Sequence, residues 1–124
     1  MSSKSFLIIL ATAALQSAGN LLLRKGILLA GGFPSRLDNL LPGLWQLVRE
    51  PLFDIGFVLY GLSALIWFRA IATLELSMAY PVIVGIAFVI VTIGAFFLFH
   101  EPLTWRKSIG GLIIVFGIFL IGKG

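Results

Sequence analysis

Long apolar runs alternate with short polar breaks along this chain, and the clearest run, Leu76–Phe99, holds no charged side chain. A helix needs about 20 apolar residues, at roughly 1.5 Å each, to cross the hydrocarbon core of a bilayer. The run therefore predicts a membrane-spanning helix. It also carries Tyr80 and Pro81 near its start and Gly85 inside, which a plain anchor does not need, so we expect the other spans to pack around it.

Three further apolar stretches predict three further spans, so the expected fold is an all-α membrane protein with four transmembrane helices in a single domain, 1–124. The expected spans cover residues 6–29, 53–74, 77–99 and 103–122. The link before the third span is very short, so the second and third spans are expected to be antiparallel neighbours. Pro81 then falls in the first turn of the third span, where a missing N–H costs little.

The first apolar stretch admits two interpretations. Ala11-Thr12-Ala13 resembles the small-residue cleavage site of a signal peptide. The apolar run continues well past that point, to Leu23, and this favours a retained first helix.

Between the first two spans, residues 30–50 predict a short amphipathic segment that lies in the membrane interface. Apolar residues recur there at helical spacing, namely Leu37, Leu40, Leu41, Leu44 and Val48. Pro42 is expected to split the segment into two pieces. Trp45 is a natural interfacial anchor.

A polar stripe interrupts the first helix. Gln16, Asn20 and Arg24 follow one another in steps of four, and each step advances only about 40° around a helix. Lipid offers such groups no partners, so they should face protein or a water-filled cavity. Interhelical hydrogen bonds that only hold the bundle together are the alternative for the amides, and snorkelling to the interface is the alternative for the arginine.

Aromatic and small residues mark candidate faces on the other spans. Tyr60 and Trp67 are seven residues apart on the second span, so they share a face that either lines a cavity or packs as ordinary core. Gly110 and Gly117 have the same spacing on the fourth span and form a seam for helix–helix contact within the chain or between chains. Gly85 on the third span lets another backbone approach closely.

Composition narrows the function classes. Of the 124 residues 60% are hydrophobic and 11% are charged, and the mean hydropathy is +1.11, whereas a soluble domain is about 25% charged. The chain has no cysteine and one histidine, so we expect no disulfide, no metal site and no cofactor. No nucleophile–base pair is visible, which argues against an enzyme. A net charge of +4 points to orientation in the membrane and to anionic membrane lipids, not to nucleic acid.

The basic residues also predict an orientation. Four spans place both termini on one side of the membrane and links one and three on the other. The terminal side holds three basic residues, Lys4, Arg69 and Lys123. The opposite side holds six, Arg24, Lys25, Arg36, Arg49, Arg106 and Lys107. Links one and three are therefore expected in the cytoplasm.

The stretch AYPVIVGIAFVIVTIGAFFLFHEPLTWRKSIGGLIIVFGIFLIG resembles the C-terminal half of the small four-helix members of the drug/metabolite transporter superfamily. It is most similar to the aminoarabinose–phospho-undecaprenol flippase subunits, and this resemblance implies a location in the inner membrane of a bacterium. SAGNLLLRK in the first helix resembles their pattern, with an amide at Asn20 and a basic residue at Arg24. Trp67 falls where those subunits carry a tryptophan, whereas Glu75 departs from the proline usual before the AYP motif.

The small multidrug resistance transporters are similar in the same register. The resemblance places Gln16 where they carry an essential glutamate and Ile83 where they carry a tryptophan. Tyr80 and Gly85 match, as do Gly110 and Gly117, and the last two resemble the family's dimer seam. The frame is therefore similar to theirs, while the proton-coupling group is missing.

These features favour a flippase, or a flippase subunit, for a polyprenyl-phosphate-linked sugar, whose tail stays in lipid while its head crosses between helices. Cationic side chains suit the phosphate, and neutral hydrogen-bonding groups suit the sugar. The candidate substrate contacts are Gln16, Asn20, Arg24, Lys25, Tyr60, Trp67, Tyr80, Arg106 and Lys107. Four short helices enclose little space, so we expect a homodimer or a heterodimer with a related small membrane protein.

Two other functions stay open. A proton- or ion-coupled exporter of small cations needs a titratable anion in its cavity. The five acids all fall at expected links or interfaces, namely Asp38, Glu50, Asp54, Glu75 and Glu101. A non-transporting membrane subunit that stabilises a partner would use the glycine seams equally well.

Overall fold

The structure, a computed structural model, describes residues 3–123. It contains five α-helices, α1 (Ser3–Leu29), α2 (Leu40–Arg49), α3 (Pro51–Thr73), α4 (Leu76–Phe99) and α5 (Trp105–Lys123), and a 3₁₀ turn at Leu37–Asn39. The described part of the chain has no strand. All helices except α2 are long and apolar enough to cross a membrane, which confirms the predicted all-α class with four spans. The single-domain organisation stays a prediction.

The ends of the helices follow from local chemistry. Gly31 and Gly32 adopt φ values of +99° and +105°, which residues with a Cβ rarely reach, and their N–H groups close the end of α1. Pro51 opens α3 from its first turn, where its missing N–H costs nothing. His100 ends α4 in the left-handed region, with φ 55° and ψ 32°.

Helix α4 contacts all three other spans, as expected, although its contact with α3 is slight. Helix α1 makes the most extensive contact in the bundle, the one with α3. It packs against both α3 and α4. The reason is a set of glycines that let α1 and α3 approach backbone to backbone. A Cβ at Gly19 would lie 2.9 Å from the carbonyl oxygen of Gly56, and a Cβ at Gly26 would lie 2.5 Å from the nitrogen of Phe53.

The contact between α1 and α4 forms the buried core. Its members are small or branched apolar residues, Ile9, Ala13, Ala79, Val82 and Ile83. Helix α4 also contacts α5, where a Cβ at Gly85 would overlap the side chain of Ile118. Gly85 therefore makes room for a side chain instead of the close backbone approach that we expected.

The short link between α3 and α4, Leu74–Glu75, does not make these helices close neighbours. They run antiparallel, as expected, but contact each other little because α1 lies against both of them. The space left between α3 and α4 becomes the cavity described below.

Two prolines lie in places that the sequence analysis did not expect. Pro42 is the third residue of α2 and falls in its first turn, so the helix continues through it and the predicted split at Pro42 is wrong. Pro81 lies inside α4, beyond the first turn, because the helix begins at Leu76. It has no N–H to offer the carbonyl of Ser77.

Helix α2 has the two-sided character predicted for the interfacial segment. Leu47 is buried where α2 contacts α3, whereas Leu41 and Trp45 are exposed. An amphipathic helix that leaves apolar side chains uncovered beside a membrane span suits the boundary between headgroups and acyl chains.

Candidate functional site

A cavity of about 260 Å³ lies between α3 and α4, with α1 as its floor. Its lining is Thr12, Gln16, Tyr60, Ser63, Ala64, Trp67, Tyr80, Ile83 and Val84. Four of the predicted substrate contacts therefore meet at one place, Gln16, Tyr60, Trp67 and Tyr80. Both aromatic residues of the second span line this cavity, and Trp67 also packs against the buried core.

The helices set the depth of this cavity. Gln16 is the central residue of α1, and Tyr60 lies near the centre of α3. Tyr80 is in the second turn of α4, close to the α3–α4 link. The cavity thus extends from mid-membrane toward that link, where the rings of Trp67 and Tyr80 lie 5.9 Å apart at an interplanar angle of 55°.

Hydrogen bonding divides the lining groups into two kinds. The hydroxyls of Thr12 and Ser63 donate to carbonyl oxygens of their own helices, at 2.8 and 2.6 Å. The amide of Gln16 and the phenol hydroxyls of Tyr60 and Tyr80 make no hydrogen bond to residues 3–123. Unpaired polar groups at membrane depth need a ligand, water or a partner chain.

The cavity lining is neutral. No carboxylate within the described range lines it. Asp54 lies in the first turn of α3, Glu75 is the N-cap of α4, and Glu101 follows the end of α4. The lining therefore suits hydrogen-bonding or cation–π contacts with a ligand, and it has no acid to carry a proton.

Arg24 lies at the other end of the stripe, about 12 Å along α1 from Gln16 by helical rise. Its guanidinium forms an ion pair with Glu101 and lies 4.8 Å from the ring centroid of Phe99. The Arg24 side chain is 52% exposed and that of Glu101 is 33% exposed. The predicted site residues therefore separate into two groups. The cavity group consists of Gln16, Tyr60, Trp67 and Tyr80, and the basic group near the α4–α5 link consists of Arg24, Lys25, Arg106 and Lys107.

The remaining predicted contacts lie outside the first cavity. Lys107 donates from Nζ to the carbonyl oxygen of Pro102 at 3.0 Å and shares a second cavity, of about 230 Å³, with Glu101. Arg106 lies over the Trp105 ring, 5.5 Å from its centroid. Asn20 is exposed between the two groups, and Lys25 is half-buried with no ion pair among residues 3–123.

The predicted glycine seam stays free within the chain. A Cβ at Gly110 or at Gly117 would meet no atom within 4 Å in the part of the chain that the structure describes. Helix α5 has no fully buried residue in its described membrane-crossing stretch. These two glycines therefore make no close helix–helix contact within the described chain. Contact between chains remains as the interpretation of the seam.

Three residues at these places escaped the sequence analysis. Thr12 lies one turn before Gln16 on the same stripe, and Ser63 lies one turn after Tyr60, so helical spacing was a signal for both. Glu101 was considered only as a link acid. Nothing in the sequence joins it to Arg24, which is 77 residues away.

Comparison with known proteins now adds to this geometry. A profile of the Small Multidrug Resistance protein family matches residues 49–115, more than half of the chain. The chain belongs to the small multidrug resistance family. This finding and the four apolar helices make it a small multi-pass transport protein of the inner membrane.

The chain is similar both to an uncharacterized protein and to probable flippase subunits. The chain is 31% identical to the uncharacterized protein y4nH of Sinorhizobium fredii over 100% of this chain and 99% of that protein. It is 37% identical to the probable 4-amino-4-deoxy-L-arabinose-phosphoundecaprenol flippase subunit ArnE of an Enterobacter species, over 55% of this chain and 63% of that protein. The ArnE subunit of Aeromonas hydrophila is 33% identical over 63% of this chain and 68% of its own length. No solved structure matches the chain.

Proposed function

We propose that this member of the small multidrug resistance family is a flippase, or a subunit of one, that moves a polyprenyl-phosphate-linked sugar across the cytoplasmic membrane. The observation that carries the proposal is a neutral cavity at membrane depth whose amide and phenol groups lack partners in the described chain. A sugar head offers the hydroxyls that such groups can bind. The flippase subunits among the relatives support the same substrate class.

The side opening of the cavity suits a substrate that keeps its tail in lipid. Tyr60 and Tyr80, on opposite walls, are 41% and 58% exposed, so the space between α3 and α4 is not closed by the chain itself. A head group can enter sideways while the polyprenyl chain stays in the acyl layer. Its hydroxyls then exchange water for protein partners and avoid bare hydrocarbon.

The basic group near the α4–α5 link suits the phosphate. Arginine presents a planar fork that matches phosphate oxygens, and lysine adds point charge. Arg24, Lys25, Arg106 and Lys107 all lie at the ends of helices that meet on this side of the bundle. In the orientation predicted from basic residues, this side is cytoplasmic, and the phosphate meets it first.

A second chain completes the proposed site. The cavity of one chain is open, and the glycines of α5 are free to receive another helix. The partner is a second copy or a related small membrane protein, which agrees with the word subunit in the relatives' names. Native mass spectrometry of the purified protein should show two chains with a bound lipid.

One observation favours a second candidate, a cation exporter. The Trp67–Tyr80 pair offers aromatic faces that attract organic cations, and the family name points the same way. The neutral lining of the cavity opposes proton coupling there. Exchange of a quaternary ammonium ion for protons in vesicles would replace the flippase proposal with this one.

The proposal is tested by reconstituting the protein in vesicles, alone and with a related partner chain. Movement of a labelled polyprenyl-phosphate sugar between leaflets is followed, and binding is measured in parallel. We expect movement that empty vesicles do not show. Protein that neither binds nor moves this lipid, in either preparation, refutes the proposal.

Arg24 provides the residue-level prediction for this assay. A charge-assisted contact to phosphate is worth about 1.5–3 kcal/mol, so Arg24→Ala should weaken binding roughly tenfold to a hundredfold. Arg24→Lys should retain part of the affinity, because the charge stays while the fork geometry is lost. A working flippase that is indifferent to Arg24→Ala refutes only this assignment and moves the phosphate contact to Lys25, Arg106 or Lys107.

A further inference from the structure

Glu101 is paired with the guanidinium of Arg24, which the proposed function assigns to a lipid phosphate. Its carboxylate pairs with Arg24 across the gap between α1 and the α4–α5 link. The backbone holds it in position, because its N–H donates to the carbonyl oxygen of Ala95 at 3.3 Å after the left-handed turn at His100. An anion that approaches Arg24 therefore meets another anion already bound there.

The guanidinium of Arg24 is oriented to pair with two oxygens of a carboxylate or of a phosphate. One face of the guanidinium lies over the ring of Phe99, at 4.8 Å, while Nη1 donates to the carboxylate. The stacking orients the fork and leaves its donors at the edge. A phosphate that replaces the carboxylate finds the same donors in the same plane.

A second cation, Lys107, lies near Glu101. The two residues share the cavity of about 230 Å³ between α4 and the start of α5. Lys107 donates to a neutral acceptor, the carbonyl oxygen of Pro102, and forms no ion pair with an acid in residues 3–123. A carboxylate that separates from Arg24 can turn into this cavity and pair with Lys107. It therefore avoids the cost of a charge without a partner.

We propose that loading of the lipid phosphate is an exchange of ion pairs: the phosphate takes Arg24, and Glu101 moves from Arg24 to Lys107. This inference rests on the proposed function and names the group that regulates its phosphate site. A lipid without an anionic head cannot separate Arg24 from Glu101, so the exchange selects for phosphate. It also frees α1 from the α4–α5 link when the substrate arrives.

The exchange is tested by measuring binding of a short-chain polyprenyl phosphate to protein in nanodiscs. Glu101→Gln removes the competing charge, so the phosphate should bind about threefold to tenfold more tightly. Lys107→Gln removes the partner of the released carboxylate, so binding should weaken by a similar factor in otherwise wild-type protein but not in the Glu101→Gln background, where no carboxylate is released. Arg49→Gln is the matched control, a cation on the same side of the bundle that contacts neither group, and it should leave the affinity nearly unchanged.

A charge reversal separates this role from a purely structural one. Arg24→Glu combined with Glu101→Arg keeps an ion pair between α1 and the link, so thermal unfolding should stay close to that of the wild type. Phosphate binding should nevertheless fall at least tenfold, because the guanidinium has left α1. Binding at wild-type strength in this double variant overturns the exchange.

The two proposals fail in different ways. Wild-type protein that binds no polyprenyl phosphate refutes the flippase and the exchange together. Wild-type protein that binds it, with Glu101→Gln folded but no tighter, refutes the exchange alone. Distances between spin labels at Leu28→Cys, an exposed position on α1, and Trp105→Cys give a direct measurement, and they should lengthen when the phosphate is added to otherwise wild-type protein.

Discussion

At the scale of single residues, Gln16 decides what kind of chemistry the cavity can do. It places a neutral amide at the centre of α1, on the wall of the cavity, with no hydrogen-bond partner within residues 3–123. An amide binds hydroxyls in either direction but carries no proton between the two sides of a membrane. Coupling of transport to a proton gradient therefore has no carrier at this position.

Gln16→Glu should change this character. A carboxylate near a helix centre costs about 2.5–3.5 kcal/mol on insertion scales, and it titrates. We expect lower transport of the lipid-linked sugar or a new dependence of transport on pH. Gln16→Met serves as the control, since it removes the amide donor and acceptor without adding a titrating group. Transport by Gln16→Glu that equals the wild type at every pH tested contradicts this prediction.

Two glycines form a matched pair for testing the α1–α3 contact. A Cβ at Gly26 would lie 2.7 Å from the Cα of Phe53, and backbone cannot move aside cheaply, so Gly26→Ala should lower the free energy of unfolding by about 1–3 kcal/mol. A Cβ at Gly61 would meet nothing within 4 Å, so Gly61→Ala should raise it by about 0.5–1 kcal/mol. Denaturation in detergent, followed by helix content, measures both. Equal effects of the two substitutions would mean that α1 and α3 are not in backbone contact.

At the scale of the helices, hydropathy predicted the elements but not their arrangement. Length and apolar character alone decide whether a stretch crosses a bilayer, and this is why the four spans emerged from the sequence. Which faces meet depends on where small residues fall relative to a neighbour. Gly19, Gly26 and Gly56 each lie within an apolar run, and only their register across the α1–α3 contact shows that these two helices meet backbone to backbone.

The candidate site was predictable to a similar extent. Gln16, Tyr60, Trp67 and Tyr80 each stood out as polar or aromatic residues on a span, and the fold brings all four to one cavity. The partner of Arg24 was not predictable. An ion pair between the first helix and the last link exists only because α1 and α4 run in the same direction and end at the same level.

Helix α5 leads to a separate prediction, because a Cβ at Gly110 or Gly117 in its seam would contact no atom of the described chain. If the seam carries association between chains, a bulky residue there should separate the backbones. Gly117→Leu should lower the fraction of dimer in detergent while helix content stays constant. An unchanged mass distribution for both Gly110→Leu and Gly117→Leu would exclude the seam as the dimer contact.

At the scale of the whole molecule, the direction of the helices sorts the functional groups by side. Helices α1 and α4 run in one direction and α3 and α5 in the other, so links one and three lie at the same end. The basic group is at this end, and the first cavity extends toward the opposite end. A head group that binds first at Arg24 and then reaches Tyr80 has therefore passed the middle of the bundle.

The absolute direction is a prediction, based on the basic residues of links one and three. The chain has no cysteine, so single cysteines report position cleanly. In intact cells, a membrane-impermeant thiol reagent should label Ser3→Cys and leave Ser35→Cys unlabelled until the membrane is permeabilised. Labelling of Ser35→Cys alone reverses the orientation, and the basic group would then face the outside.

The polar stripe of α1 has a consequence for how the protein is made. The helix leaves the ribosome before α3 and α4 exist, and its most apolar stretch has a mean hydropathy of 1.8 against 2.9 for α4. Gln16, Asn20 and Arg24 meet only lipid or the insertion machinery during this interval. We therefore expect α1 to be retained beside that machinery until α3 has left the ribosome. Assembly of the bundle then begins only when α3 and α4 are available to pack against α1.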